Sequence, residues 1–526
     1  MVELPDGCGN TYPYGGGLRA MGTELLTDRF ADQIVGVLSC YDRLIIQGTI
    51  PDFCYAQAMT NYLYARKIRI FDYPHFAQPL RDGLREHAER VAAENGISIE
   101  FIRKSGIRKS DKIEEIINKR GSHPGLVAIL SAMEPCSTYK PWHDKGTGKT
   151  YLRPDDGKCL HYYFYFIDEQ LGLCYLRVPT WCPFRLQFYC NGHFWLAAEL
   201  RRRKISYRLA DNAFAAVGNF AQAQSIADNM QVKALHRKLE AFVRHYCPTI
   251  DNLGVTYHWS IDQAEYSTDI IFRRQADLGA IYDRLTRTAI HAVKPENVAT
   301  FLGRKLNGNY QDELGNRFDT RIEGTRIKHT MGPVSVKMYD KHGFILRIET
   351  TVNDVSFFKH YRRVEHRDGT TETKFTSMKK GIYSLPALRE VLCAANRRYL
   401  EFISAIDTPT SGINALRKIS ESLREGEHTY SGFNLFSAED QDLMEALVRG
   451  EYCIRGVSNK AIRKRFPDKN SAQVSRALKR LRIHGLIKKV GRTYHYYLTQ
   501  LGRTVAIAGT KLKELVLIPQ LAAALG

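Results

Sequence analysis

Short apolar runs alternate with charged, amphipathic stretches over the first two hundred positions, which is the rhythm of strands packed under helices. Leu44-Ile45-Ile46 predicts a short strand, and Ala77–Asn95 an amphipathic helix. Ile97–Ile102 predicts a second strand, and Gly125–Met133, almost wholly apolar, a third and buried one. His161–Ile167 and Leu173–Val178 flank Asp168-Glu169-Gln170-Leu171-Gly172 as a β-hairpin, and a helix is expected from Gly192 to the basic run Arg201-Arg202-Arg203-Lys204. Residues 21–225 therefore read as an α/β domain, behind a Gly-rich leader (1–20) expected to be disordered. The stretch 230–400 changes character to α+β: a helix over Lys233–Tyr246, strand-rich segments Tyr257–Phe272 and Thr325–Val352, and helical Leu278–Leu302 between them. Residues 365–380 read as a polar connector, 401–435 as a linker, and 504–526 as a closing apolar helix.

Residues 436–503 carry the sharpest local signals. Ser437 precedes a helix over Ala438–Arg449, Ser458 one ending at Phe466-Pro467, and Ser471 a third over Ala472–His484 with Gly485 as its stop. Val474, Leu478 and Leu481 form the inward stripe of that third helix. Gln473, Ser475, Arg476, Lys479, Arg480 and Arg482 are left on or near its open face. Leu486–Val490 and Thr493–Leu498 predict two strands around Gly491-Arg492. This order resembles a winged helix-turn-helix, whose third helix enters the major groove of duplex DNA and whose hairpin is the wing. Between Arg449 and Arg492 there are 14 Lys and Arg against 2 Asp and Glu. Arg476 and Gln473 are the expected base readers and the other cations, Arg492 included, phosphate contacts. The fold class expected is thus α/β and α+β multidomain with a C-terminal winged helix-turn-helix.

Strict alternation marks Pro333–Val352. Val334, Val336, Met338, Phe344, Leu346 and Ile348 share one face, and Lys337, Tyr339, Arg347 and Glu349 the other. A three-residue turn with Gly343 left-handed would pair Tyr339 with Ile345, Lys337 with Arg347 and Ser335 with Glu349. A tyrosine among cations and a carboxylate suits phosphodiester chemistry: the phenol attacks, Lys and Arg hold the phosphate, and acids hold a metal. On the strand Gln263–Asp269, Glu265 and Asp269 share a face, so Glu265, Asp269 and Glu349 are the candidate ligands for Mg2+ or Mn2+. Gly324-Thr325-Arg326, Ser335, Lys337-Met338-Tyr339-Asp340-Lys341 and Leu346-Arg347-Ile348-Glu349 together resemble a strand pair in plasmid and phage rolling-circle replication initiators. That resemblance implies a strand-nicking nucleophile at Tyr339 and an acidic metal ligand at Glu349. The His-hydrophobe-His motif of such proteins is missing, since His258-Trp259-Ser260 lacks the second histidine. Over most of its length, through Tyr139–Lys145, Lys158–Phe166 and Thr288–Val293, the chain also resembles multicopy, mobile-element-associated bacterial proteins labelled winged-helix or MarR-like.

Composition narrows the partners. A formal net charge of +20 over 526 residues favours polyanions. Duplex DNA is the expected partner, with single-stranded DNA or structured RNA as others, and a homodimer through the C-terminal helix. No run of eighteen apolar residues predicts a membrane span, and eleven scattered cysteines fit a reducing cytoplasm. Cys182, Cys190 and His193 have the wrong spacing for zinc and read as core residues, and Gly146–Thr150 lacks the first glycine of a P-loop. Asp42, Glu134 and Asp168 form an alternative carboxylate set of the ribonuclease-H type, and Tyr162–Phe166 reads as core. The function expected is DNA binding with nicking or processing of strands for a mobile or replicating element. The alternatives are a non-enzymatic winged-helix regulator and a structured-RNA-binding protein.

Overall fold

The computed structural model describes residues 25–103, 106, 108–291, 293–304, 318–323, 326–366, 368–404, 410–449, 452, 456–490 and 493–525. The leader 1–20, Gly324, Thr325, Gly491 and Arg492 lie outside the described residues. The chain divides into two compact units, Met1–Ile406 and Asp407–Gly526. It is a mixed α/β protein built on one large sheet.

Strands β1 (Ile34–Thr49), β2 (Ile99–Phe101), β3 (Gly125–Asp144), β4 (Lys149–Asp168), β5 (Gly172–Pro179) and β6 (Leu186–Asn191) come from the first half of the larger unit. A small hairpin, β7 (Tyr207–Leu209) and β8 (Phe214–Val217), follows. Strands β9 (His258–Phe272), β10 (Phe318–Glu323), β11 (Arg326–Met331), β12 (Val334–Lys341) and β13 (Ile345–Val352) then extend the same sheet. Its order is β10-β11-β12-β13-β9-β1-β6-β5-β4-β3-β2, with β2 parallel to β3 and every other pair antiparallel. The regions 21–225 and 230–400, separate in the sequence reading, thus share one continuous sheet through the β1–β9 pairing. A further hairpin, β14 (Lys359–Glu365) and β15 (Thr371–Ser377), pairs only with itself, where the sequence suggested a connector.

The two faces of the sheet are chemically different. One face (Leu44, Ile46, Ala264, Tyr266, Ile270, Met338, Leu346, Ile348) packs into the main core with the helix Leu385–Ser404, whose Leu388, Leu392 and Tyr399 are buried. On the other face Leu38 and Cys40 pack under the helices Gly192–Arg202 and Phe220–Asp228. Even-numbered residues of β1 therefore point one way at Leu38 and Cys40 and the other way at Leu44 and Ile46. A β-bulge between Tyr41 and Arg43 makes the switch, because one extra residue inverts the two-residue period. The bulged residue is Asp42.

In the smaller unit β16 (Leu423–Glu425) and β17 (His428–Tyr430) form a hairpin within the expected linker. Helices Ala438–Leu447, Asn459–Arg465 and Ser471–Ile483 then precede a second hairpin, β18 (Ile487–Lys489) and β19 (Tyr496–Leu498). Val474, Leu478 and Leu481 are buried in its core, as the stripe implied. The third helix is capped by Asn470, not Ser471: Asn470 Oδ1 accepts from Gln473 N, and Gln473 Oε1 accepts from Asn470 N. The closing helical segment starts at Gln500, earlier than expected, and passes through a π-turn at Lys513–Leu517. No described helix is long and apolar enough to cross a membrane.

Candidate functional site

The β12–β13 hairpin sets the site. Its register pairs Tyr339 with Arg347, Lys337 with Glu349 and Ser335 with Thr351. This corrects the sequence reading by two residues, because the turn is centred on His342 and Gly343, both left-handed (φ 58° and 79°), with Asp340 Oδ1 accepting from Gly343 N. A shift of two leaves every side chain on its expected face. Next to it, β9 places Asp269 opposite Arg347, Ser267 opposite Glu349 and Glu265 opposite Thr351. Lys337, Tyr339, Arg347, Glu349, Glu265 and Asp269 therefore converge on one face, and burial brings their charges into contact.

Two linked clusters result. In the deeper one Arg347, fully buried, grips Asp269 with two hydrogen bonds (Nε to Oδ1 2.6 Å, Nη2 to Oδ2 2.7 Å). It also donates to the Asn212 carbonyl (2.7 Å), and its Nη1 lies 3.4 Å from Asp42 Oδ2. His193 sits between the two acids, Nδ1 3.0 Å from Asp42 Oδ1 and Nε2 3.6 Å from Asp269 Oδ2. Its place follows from the helix start: Asn191 Oδ1 accepts from His193 N, Asn191 Nδ2 donates to Asp42, and Gly192 lets the helix touch β1. A Cβ at position 192 would stand 2.1 Å from the Tyr41 carbonyl oxygen. Burial alone would raise the Asp42 and Asp269 carboxyls. His193 and Arg347 more than reverse it and hold both below the usual carboxylate range.

The shallower cluster joins a phenol, an ammonium and two carboxylates. Tyr339 Oη donates to Glu349 Oε2 (2.8 Å), and Lys337 Nζ bridges Glu349 Oε1 (2.6 Å) and Glu265 Oε1 (3.2 Å). The side chains of Lys337 and Glu265 remain 12% and 14% exposed, so solvent reaches this cluster, and Gln263, two residues along β9 from Glu265, donates to Asn353 in an exposed hydrogen bond. Burial and the Glu349 charge push the Tyr339 phenol above its ordinary value and keep its proton on. Burial, then the Glu349 charge, also raises Glu265. Burial opposes the Lys337 charge, but Glu349 and Glu265 outweigh it and hold the ammonium protonated. Lys341, beside the turn, donates to Asn212 Oδ1, and burial with the Arg347 charge lowers its value.

The metal-ligand set differs from the expected one. Asp269 is committed to Arg347. Instead Asp42 joins Glu265 and Glu349, each offering an oxygen within 4.8 Å of the others. Three carboxylate oxygens suit Mg2+ or Mn2+. Two ligands on one such ion stand at most about 4.2 Å apart, so the carboxylates would need to draw in slightly. Lys337 lies where it competes with a cation for Glu265 and Glu349. Arg347 likewise departs from its expected role, since a guanidinium with no exposed surface can position other groups but cannot touch a phosphate. The alternative set Asp42, Glu134 and Asp168 is not assembled: Glu134 binds Lys109, Tyr163 and Arg177, and Asp168 binds Lys238. Cys182 and Cys190 are buried in the core, Tyr162–Phe166 is buried throughout, and Gly146–Thr150 runs from the β3–β4 turn into the start of β4.

In the smaller unit Arg476 is exposed, while Lys479 and Arg482 flank Glu425. Ser475 accepts from Asn459, and Gln473 is held in the helix cap. Arg480 departs from the expected open face. It pairs with Asp440 (2.7 and 3.0 Å), donates to the Ser431 and Gly432 carbonyls, and lies over the Phe433 ring. No family model, no curated protein and no solved structure matches this chain.

Proposed function

We propose that the larger unit cuts and transfers DNA strands through Tyr339, and that the smaller unit is a winged helix that brings it to duplex DNA. The observation carrying the first half is the 2.8 Å hydrogen bond from Tyr339 to a nearly buried Glu349, beside Lys337 and a three-carboxylate cluster. In the reaction, the Tyr339 Oη–H bond breaks as its proton passes to Glu349 Oε2, and an Oη–P bond forms. The P–O bond to the adjoining deoxyribose breaks, and the leaving oxygen takes a proton from solvent. Attack by that hydroxyl on the phosphotyrosyl ester reverses the step, so a strand is either nicked or rejoined. Lys337 supplies positive charge beside the phosphoryl oxygens, and Arg347, through Asp269, fixes β13 against β9 so that Glu349 meets the phenol. A Mg2+ or Mn2+ ion held by Asp42, Glu265 and Glu349 would supply Lewis-acid charge withdrawal at the phosphate.

Three helices followed by a two-stranded hairpin, with exposed Arg476 on the third helix, support the DNA-binding half. The test is to incubate supercoiled plasmid bearing the sequence's own flanking DNA with the protein and Mn2+. Nicked circles that vanish with Tyr339→Phe and fall at least a hundredfold with Glu349→Gln support the reading. Nicking that survives both substitutions overturns the site. Duplex binding without any nicking returns the chain to the non-enzymatic regulator.

A further inference from the structure

The β14–β15 hairpin has no part in the chemistry above, yet it is built unlike a structural ribbon. It pairs with no other strand, and β14 alternates exposed and half-buried positions instead of burying a face. Lys359, Tyr361, Arg363 and, at the far end, Glu365 share its exposed side. Tyr361 is 52% exposed and stacks at an angle across the hairpin on Phe375 (ring centroids 5.2 Å apart). Residues 359–380 carry seven Lys and Arg against three Asp and Glu. The contact with Phe375 steadies the hairpin, yet half of the Tyr361 side chain stays open to solvent between two cations.

The root of the hairpin is firm. Phe358 and Met378 are buried in the main core and joined by a backbone hydrogen bond, and the Lys380 carbonyl accepts from Ile261 N on β9. Ile261 is four residues from Glu265, or about 13 Å along a strand. Asn353, which accepts from Gln263 of β9, leads directly into the segment that starts the hairpin. The hairpin is therefore attached beside β9, a few residues along the strand from Glu265.

We infer that the β14–β15 hairpin is a single-strand-holding arm: Lys359 and Arg363 contact successive phosphates of single-stranded DNA, and a base stacks on Tyr361. A cation two residues to either side of an exposed aromatic face suits a base of an unpaired strand and the phosphates that flank it. A duplex, whose bases are already stacked, offers nothing to Tyr361. This rests on the strand-processing reading for its occupant, but it is tested without catalysis.

The experiment is fluorescence anisotropy of the full chain with a labelled 15-nucleotide single-stranded DNA, in EDTA so that no cleavage enters. Tyr361→Leu, which keeps an apolar side chain against Phe375, is expected to weaken binding about tenfold, and Tyr361→Trp to restore it. Lys359→Ala with Arg363→Ala is expected to lower the slope of log affinity against log salt by about 1.4. Unchanged affinity in Tyr361→Leu and an unchanged salt slope in the double variant would overturn the arm. So would binding of an RNA 15-mer but not the DNA. If wild type fails to nick plasmid but the variants lose single-strand affinity, the arm stands and the Tyr339 chemistry falls. If wild type nicks and the variants bind normally, the arm falls alone.

Discussion

Removing the Arg347 guanidinium tests whether the deep cluster holds the site together. Arg347 has no exposed surface and makes two short hydrogen bonds to Asp269, with further contacts to Asn212 and Asp42. Replacing it by methionine takes the guanidinium from Asp269 and Asp42 and leaves His193 alone between the two acids, in a volume closed to water. Breaking a buried pair in this way costs about 3–5 kcal/mol. Removing both charges, in Arg347→Met with Asp269→Leu, leaves only Asp42, which His193, Asn191 and Asn212 still neutralise or bind. The double variant should therefore lose roughly 2 kcal/mol less than the two single changes together. The four tryptophans, Trp142, Trp181, Trp195 and Trp259, all lie in the larger unit, so urea unfolding followed by their fluorescence reports that unit alone. A loss below about 1 kcal/mol for Arg347→Met, or additivity within about 0.5 kcal/mol, would refute the argument.

Other consequences follow from the same geometry. Saturating Mn2+ at about 100 times its dissociation constant should stabilise the larger unit by roughly 2.7 kcal/mol. Glu265→Gln should weaken that effect and Lys337→Met strengthen it by removing the competing ammonium; a Mn2+ response indifferent to both would place the ion elsewhere. Asp42 and Asp269 have carboxyls held below the ordinary 3.8, so the stability they confer is full above that pH and is lost as pH falls through their lowered values. Acid titration of Asp269→Asn beside wild type should show a stability difference that is constant near neutrality and shrinks below pH 3.8; a difference growing toward acid would contradict the assignment. In the smaller unit, Arg476→Ala should weaken duplex binding without changing stability. Arg480→Ala should cost about 1.5–3 kcal/mol through Asp440, seen as faster hydrogen exchange in Ser471–Ile483. The reverse pattern would mean that Arg480 is the DNA contact.

How much of this was written in local sequence depends on the range of the interaction. The β12–β13 faces could be assigned because a two-residue period survives any even slip; the register itself could not, because it turns on His342 joining Gly343 in a left-handed backbone. The stripe Val474, Leu478 and Leu481 was readable for the same local reason. Asp42 is a candidate carboxylate from the sequence but with the wrong companions, Glu134 and Asp168, since the bulge that aims it inward depends on β9, more than two hundred residues away. His193 was hidden by its proximity to two core cysteines, although Asn191-Gly192-His193 at a strand-to-helix junction was a usable signal. Arg347 and Asp269 were placed on the right face but given the wrong tasks. Residue type suggests chemistry, and only burial and partners decide whether a side chain reacts or braces.

The central claim is tested most directly by trapping the covalent intermediate. Wild-type protein, Mn2+ and a 5′-labelled or 3′-labelled single strand from its flanking DNA should yield a species that survives denaturing electrophoresis. Peptide mass spectrometry should find the nucleotide on Tyr339, and Tyr339→Phe should give none. Cleaved strands with no protein attached, or an adduct on any other residue, would contradict the account.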